Sequence, residues 1–357
     1  MTTEPLADCR SPFLADVAAA LPMHGFWTMP IVIGVSGGCD STALVRALAQ
    51  LASSDLHHSM IVAHAEHDLR EDAAEDRTFV AELATRLALP FETRRIAVRG
   101  RDSRRDGLEA RARRLRYDFL RDVAREHGAR HVLVAHTADD QAETILHRAL
   151  RGTGLKGLAG MRPARPLTSG ISLVRPMLRL PRSAARGFLQ QLGQSWREDA
   201  SNMDERFTRN FLRHAVLRPC VAGPYPGAAA ALARLGEFAA GAAATLEAAA
   251  LQLLATHSLR HNDGGVLIRS AEVASLPRQL RTELFVALWR RERWSEIDMT
   301  ATHYGRLADL LACSGLTPHA ARAIQLPGGC RATPEAAGLV ITPGPAPASS
   351  TASGPAE

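Results

Sequence analysis

Short apolar runs and longer amphipathic segments alternate along residues 30–150. The short runs are rich in β-branched residues and predict buried strands at 31–35, 59–64, 91–96 and 131–135. The segments between them have helical spacing, near 41–52, 71–88, 108–127 and 139–150. Repeated strand–helix units of this kind predict an α/β fold, a parallel sheet with helices on both faces.

The carboxyl ends of the predicted strands are the part of such a sheet where ligands bind. Four loops should lie there: 36–41, 64–70, 97–107 and 136–140. A functional site is therefore expected at these loops.

The rest of the chain divides by composition. Residues 1–29 form a lead-in, with a short helix expected over 13–21, and 30–220 form the predicted catalytic domain. Three prolines and one glycine between 219 and 226 mark a boundary. Residues 227–342 predict a smaller, mainly helical C-terminal domain with a β-hairpin, in which 338–341 returns beside 323–326. The Pro/Ala/Ser/Gly-rich tail, 343–357, should be disordered.

Charge and cysteine content narrow the class of protein. The 357 residues carry a formal net charge of +6, and Lys156 is the only lysine among 43 basic residues. An acidic partner such as nucleic acid is plausible, although coding bias explains the arginine excess equally well. Five scattered cysteines without a Cys-x-x-Cys pair argue against a disulfide scaffold or a metal cluster. With no signal-peptide pattern and no apolar run of transmembrane length, we expect a cytoplasmic protein without a membrane segment.

The loop after the first predicted strand has the composition of an anion site. Its glycines let backbone N–H groups approach a ligand closely, and the following helix N-terminus adds partial positive charge. A carboxylate in this loop makes sense if Mg²⁺ bridges it to phosphate oxygens, which makes Asp40 a candidate metal ligand. The alternative is a plain strand-to-helix turn. The candidate nucleotide-binding residues are Ser36, Gly37, Gly38, Cys39, Asp40 and Ser41.

A cluster of polar side chains follows the fourth predicted strand. Asp140, Glu143 and His147 share one face of the helix that begins near residue 138, and Asp139 lies in its first turn. A single acidic residue there can simply complement the helix dipole. Several together predict a site for Mg²⁺, an ammonium group, or both. The candidate catalytic residues at this strand end are His136, Asp139, Asp140 and Glu143.

Basic residues recur at three further places. Arg113 lies on a predicted helix whose arginines either face solvent or are directed at phosphates. A glycine-rich loop carries Arg151 and Lys156, and is either a flexible linker or a loop that approaches a nucleic-acid backbone. A later basic segment suits a phosphate backbone or a solvated face. Its arginines on one helical face are Arg206, Arg209 and Arg213.

The Ser-Gly-Gly-x-Asp-Ser loop resembles the pyrophosphate loop of the N-type ATP pyrophosphatases. Further motifs, in order, resemble those of the tRNA(Ile)-lysidine synthases. They are His136-x-x-Asp139-Asp140-Gln141-x-Glu143-Thr144, the glycine-rich 151–161, the segment 199–202 and Arg209-Asn210. The Arg113 helix, which comes earlier in the chain, also resembles a segment of that family. Residue 200 is alanine where the family usually has proline. The resemblance is strong over 30–220 and weaker to about 342.

The resemblance implies a Rossmann-like fold and an ATP-dependent reaction. In that family L-lysine is ligated to the wobble cytidine of tRNA(Ile) with a CAU anticodon, through an adenylylated cytidine, releasing AMP and pyrophosphate. ATP, Mg²⁺, L-lysine and this tRNA are then the implied substrates and cofactor. Arg113 is a candidate for stabilising the reacting phosphate or AMP. One of the three carboxylates at the fourth strand end, or His136, would take the proton from lysine, and the residues do not decide which.

Two other functions fit parts of the pattern. A tRNA cytidine thiolase shares the fold, but such relatives carry paired cysteine motifs that this sequence lacks. A non-catalytic tRNA-binding relic would not need the full set of acidic residues. A monomer and a homodimer fit the sequence equally well.

Overall fold

The computed structural model describes residues 11–22, 25–67, 73–97, 108–198, 208–261, 264–314 and 322–344. The chain forms two compact units, Met1–Ala240 and Gly241–Glu357. The division falls inside a long helix, and each unit is described by itself. The proposed domain limits, 30–220 and 227–342, stay a prediction.

A six-stranded sheet organises the first unit. In chain order its strands are β1 (Ile31–Gly34), β2 (Met60–His67), β3 (Phe91–Ile96), β4 (His131–Val134), β5 (Ala164–Thr168) and β6 (Ile171–Val174). The spatial order is β3-β2-β1-β4-β6-β5, and every neighbouring pair is parallel except β5 with β6. The predicted parallel sheet is confirmed. The β5–β6 hairpin, which completes one edge, has no counterpart in the sequence prediction.

Helices cover both faces of this sheet, as predicted. They are α1 (Pro12–Ala19), α2 (Cys39–Leu51), α3 (Ala73–Arg86), α4 (Leu108–Glu126), α5 (Ala138–Leu150), α6 (Leu155–Leu158), α7 (Arg182–Gln191), α8 (Thr208–Phe211) and α9 (Arg218–Ala222). A π-helical segment, Leu212–Leu217, joins α8 to α9. Ile31 and Ile33 of β1 belong to the core under α1, α2, α3 and α7, whereas Val32 belongs to the core under α4. The alternation follows from the two-residue period of a strand.

The strand order reverses between β1 and β4. Strands β2 and β3 lie on one side of β1, and β4 and β6 lie on the other. Ile31 pairs with Met60 on one side and with His131 on the other, so β1 and β4 end level with each other. The crevice at such a switch point is where doubly wound sheets bind ligands. The loops that open into it are those that follow β1 and β4.

Helix α10 (Ala228–His257) corrects one expectation. From the sequence we expected no apolar run of transmembrane length. In the part of the chain that the structure describes, this helix is long and apolar enough to cross a membrane by length and composition alone. Alanine supplies most of that apolar character, and Arg234, Glu237 and Glu247 interrupt it.

The second unit contains an antiparallel sheet packed on helices. Its strands are β7 (Ser258–Arg260), β8 (Val266–Arg269), β9 (Ile324–Gln325), β10 (Arg331–Glu335) and β11 (Gly338–Thr342), in the order β7-β8-β11-β10-β9. The helices are α11 (Ser270–Val273), α12 (Arg278–Glu292) and α13 (Ala301–Ser314). The core is built around Phe285 and Trp289 of α12, both fully buried.

The hairpin pairing in this unit differs from the prediction. Strand β11 was expected beside 323–326, but it pairs with β10 and β8. The segment 331–335 alternates poorly and includes Pro334, which explains why it gave no strand signal. Most of the predicted disordered tail, 345–357, lies outside the described residues.

Leu133 of β4 lies in the core of the first unit, and its truncation tests how much this core contributes to stability. It is fully buried, so Leu133→Ala should lower the free energy of unfolding by about 2–5 kcal/mol. Leu150→Ala, at a side chain 67% exposed, is the matched control and should change it by about 0.5 kcal/mol at most. Urea unfolding followed by tryptophan fluorescence measures both effects, since Trp27 and Trp196 pack on the same core and contribute to the signal. Equal effects of the two variants would contradict the assigned core.

Candidate active site

The loop after β1 is a tight turn fixed by hydrogen bonds. Gly37 has φ +90°, a conformation that favours glycine, and its carbonyl accepts hydrogen bonds from Arg197 N (2.9 Å) and Thr42 Oγ1 (3.2 Å). Ser41 Oγ accepts from Ser36 N at 3.1 Å. Helix α2 then begins after Gly38, which caps it without a side-chain hydrogen bond. Its first backbone N–H groups are therefore available to an anion.

Cys39 lies in the first turn of α2 with a half-buried thiol. Burial, and then the charge of Asp40, raise its pKa to about 11. The thiol is therefore protonated near neutral pH and is not a nucleophile there.

Arg182, the first residue of α7, joins the two strand ends. Its Nε donates to Asp40 Oδ2 at 2.8 Å, and its Nη2 donates to Asp140 Oδ1 at 3.1 Å. Its backbone N–H donates to Asp139 Oδ2 at 2.8 Å. The loop after β1 and the start of α5 therefore share one guanidinium and form one site.

The pKa values of Asp140 and Asp40 shift in opposite directions in this site. Burial opposes ionisation of Asp140, but the charge of Arg182 and hydrogen bonding at Thr137 outweigh it, so the pKa of Asp140 is below its usual range. At Asp40 burial prevails over Arg182, and the pKa is raised. Asp40 Oδ1 is buried and has no hydrogen-bond partner among the described residues. A buried, unpaired carboxylate oxygen is well suited to a hard cation such as Mg²⁺.

Glu143 is held by a second arginine. The carboxylate is 3% exposed, and Arg213 donates to it through Nε at 2.5 Å and Nη2 at 3.1 Å. Burial raises the pKa of Glu143 despite this pairing. Arg213 was predicted to face a tRNA backbone, but the structure places its guanidinium on Glu143. A buried carboxylate needs such a partner, which accounts for the position.

His136 lies beside a buried arginine. Arg175 Nε donates to His136 Nδ1 at 3.2 Å, and Arg175 Nη1 donates to the carbonyl of Arg162 at 2.7 Å. Burial lowers the pKa of His136 to about 3; the charge of Asp140 opposes this shift, and nearby arginines add to it. The imidazole is therefore neutral in the folded protein. The Arg113 guanidinium lies 5.0 Å above the ring of Tyr117 and is one of those nearby charges.

The glycine-rich loop after α5 is anchored and is not a flexible linker. Arg148 Nη1 donates to the carbonyls of Gly157 (2.9 Å) and Gly160 (2.8 Å), and the Gln141 amide exchanges two hydrogen bonds with the backbone of Met161. A Cβ on Gly160 would lie 2.6 Å from Gln141 Oε1, at φ +68°. This fixes the backbone that carries the two predicted cations.

The predicted tRNA-contacting cations lie on three elements. Arg151 caps α5 and is exposed, Lys156 is on α6, and Arg209 is on α8. Arg206 and the segment 199–202 lie outside the described residues.

Sequence reasoning missed three site arginines: Arg175, Arg182 and Arg197. In a chain whose basic residues are almost all arginine, one arginine carries no signal of its own. The only local hint was the position of Arg182 directly after Pro181, because proline is common at the start of a helix.

The carboxylates of the site are paired with two arginines. Arg182 holds Asp40, Asp139 and Asp140, and Arg213 holds Glu143. Asp40 Oδ1 has no hydrogen-bond partner among the described residues and can bind a further cation. Next to it, the turn after β1 presents backbone donors to an anion. The arrangement can hold a metal–phosphate group and an ammonium group side by side.

The fold and this site define the chain as a PP-loop protein. The family model of the PP-loop domain matches residues 18–220, more than half of the chain. The chain is also 34% identical over 317 residues to the tRNA(Ile)-lysidine synthase of Rhodopirellula baltica, covering 78% of this chain and 79% of that protein. The chain belongs to the tRNA(Ile)-lysidine synthase family.

Two other members extend this comparison. The Geobacter sulfurreducens tRNA(Ile)-lysidine synthase is 40% identical over 257 residues, covering 71% of this chain and 53% of that protein. The Thermus thermophilus synthase is 38% identical over 307 residues, covering 86% of this chain and 53% of that protein. The chain therefore spans about half the length of these two relatives.

The depressed pKa of His136 predicts a pH dependence of stability. In the unfolded state, His136 binds a proton below about pH 6.5, whereas in the folded state it binds one only near pH 3. The contribution of a neutral His136 to the free energy of unfolding is therefore fully present above pH 6.5 and falls as the pH drops. Between pH 7.5 and pH 5, the free energy of unfolding of the wild type should fall by about 2 kcal/mol more than that of His136→Gln. Urea unfolding across this range measures it. His58→Gln, at an exposed histidine, is the control and should follow the wild type. If the free energy of unfolding of the wild type and that of His136→Gln changed in parallel with pH, the lowered pKa of His136 would be contradicted.

Proposed function

We propose that this protein ligates L-lysine to the wobble cytidine of tRNA(Ile) with a CAU anticodon, using ATP and releasing AMP and pyrophosphate. The observation that carries the proposal is the convergence of the turn after β1 and three carboxylates on Arg182, with Glu143 held beside them by Arg213. The reaction needs a nucleotide and a cationic amino acid at one place. Family membership supports the same reaction.

The first step activates the cytosine. Its C2 oxygen is a poor leaving group, so it attacks the α-phosphate of ATP, pyrophosphate leaves, and the oxygen becomes part of AMP. The backbone donors of Gly38 and Cys39, with the hydroxyls of Ser36 and Ser41, would hold the departing pyrophosphate. Arg113, which lies near His136, would face the adenylyl phosphate.

Magnesium fits one place in this site. Asp40 would hold it through Oδ1, the buried oxygen that lacks a partner among the described residues. When bound, the ion would neutralise phosphate charge. Asp40 itself needs such a cation, because burial disfavours its ionised form.

The carboxylates would bind lysine. Its side-chain amine has an ordinary pKa of about 10.4 and arrives as an ammonium group. Asp139, Asp140 and Glu143 supply the negative charge, and Arg182 keeps Asp139 and Asp140 in place. The amine must then lose a proton before it attacks C2 and AMP leaves. Glu143 is the best suited acceptor, because burial raises its pKa whereas that of Asp140 is lowered.

The basic residues would hold the RNA. Arg151, Lys156, Arg206 and Arg209 are proposed to contact phosphates, and the second unit to bind more of the tRNA, in keeping with a net charge of +6. The wobble base must leave its stack to reach the site, which single-stranded anticodon bases can do. We place the reaction in the cytoplasm, carried out by a monomer or a homodimer.

The proposal is tested by one incorporation assay. The protein is incubated with ATP, Mg²⁺, radiolabelled lysine and a tRNA(Ile) transcript with a CAU anticodon, and label should enter the tRNA. A transcript with U in place of the wobble C is the control and should stay unlabelled. Sulfur incorporated from a donor instead of lysine would identify a thiolase. Tight tRNA binding without either product would identify a non-catalytic relic.

Asp40→Asn separates the nucleotide step from tRNA binding. It keeps the side-chain shape but removes the charge proposed to hold Mg²⁺, so tRNA-dependent pyrophosphate release should fall by at least about a hundredfold. The affinity for tRNA, measured by filter binding, should change less than about threefold. Asp55→Asn, at an exposed aspartate before β2, is the control and should behave as the wild type. Undiminished pyrophosphate release by Asp40→Asn would exclude the metal-binding role.

A further inference from the structure

The contact between Arg175 and His136 fixes the position of a proton. A guanidinium has only donors, so the 3.2 Å contact from Arg175 Nε means that His136 Nδ1 accepts. A neutral imidazole that accepts at Nδ1 carries its hydrogen on Nε2. The other ring nitrogen of His136 is therefore a donor.

Arg175 is held in place from three sides. Its side chain is buried, its Nη1 donates to the carbonyl of Arg162 at 2.7 Å, and its backbone N–H donates to the carbonyl of Pro163 at 2.8 Å. The hydroxyl of Tyr117 also lies beside the guanidinium. The Arg175 side chain cannot turn away from His136 without breaking its hydrogen bond to the carbonyl of Arg162.

We propose that His136 acts as a neutral hydrogen-bond donor through Nε2–H, directed at an oxygen of the adenylyl phosphate, and that Arg175 is the positioning residue that sets this tautomer. The identity of the acceptor rests on the proposed function, while the tautomer rests on the geometry alone. A general base at Nε2 would need a lone pair there. This removes His136 from the candidates for the lysine proton, which leaves the carboxylates.

The charges around His136 support the neutral form. Arg113, Arg175 and Arg209 all disfavour an imidazolium, and Asp140 is the opposing negative charge. Asp140 accepts hydrogen bonds from Thr137 and from Arg182. A neutral donor keeps its proton throughout the reaction and needs no reprotonation between turnovers.

The tautomer is measured directly by NMR. Long-range ¹H–¹⁵N correlation spectra of ¹⁵N-histidine-labelled full-length protein distinguish Nδ1–H, Nε2–H and imidazolium, and the His136→Gln spectrum assigns the signal. We expect the Nε2–H pattern, unchanged from about pH 8 to about pH 5. In Arg175→Met, with fold checked by circular dichroism, the pattern should become a mixture of tautomers. An Nδ1–H pattern, or an imidazolium appearing within this range, would overturn the proposal. This result does not depend on whether lysine is the substrate.

The donor role is tested by two isosteric variants. The amide of Gln places a donor near the position of Nε2, whereas that of Asn places one near Nδ1. In single-turnover adenylylation, His136→Gln should stay within about tenfold of the wild type, and His136→Asn should lose about 10²–10³-fold, the cost of one donor to a developing charge. Equal losses in both variants would overturn the donor role. Absence of wild-type activity would instead overturn the proposed function and leave the NMR result standing.

Discussion

The ion pairs of Arg182 hold the site together. Its side chain is 28% exposed and bridges Asp40 and Asp140, which come from different strand ends. Carboxylates brought this close repel each other, and in a partly buried place they ionise together only when a cation compensates them. Without this guanidinium, the end of β1 and the start of α5 would not form a common charged surface.

The same interaction explains how the site can take up substrates. Arg182 binds Asp40 through Oδ2 and leaves the buried Oδ1 without a partner among the described residues, so this side of the site is suited to a further cation. On the side of the turn after β1, backbone donors and the start of α2 favour an anion instead. In the proposed reaction, the phosphates of ATP would bind on the side of the turn, and the ammonium group of lysine would bind on the side of the carboxylates. A neutral His136 beside Asp140 adds a donor without adding a charge.

The sheet brings these parts together because its strand order reverses between β1 and β4. The turn after β1 and the turn after β4 therefore open into one crevice. Helix α7 follows the β5–β6 hairpin along the chain and begins at Arg182, within hydrogen-bonding distance of both turns. The hairpin is thus more than an edge of the sheet, since it leads into the helix that supplies the bridging arginine.

The sequence by itself determined the parallel sheet, the helices on its faces, the turn at Gly37 and the carboxylates at the end of β4. These features depend on local periods of apolar residues and on residue types adjacent in the chain. It did not determine the β5–β6 hairpin, the partner of β11, or the roles of Arg175 and Arg182. Arg182 and Asp40 are 142 positions apart, and no local pattern marks which of many arginines will pair. Only the packed tertiary structure decided those partners, because burial of a carboxylate selects whichever guanidinium the fold brings within reach.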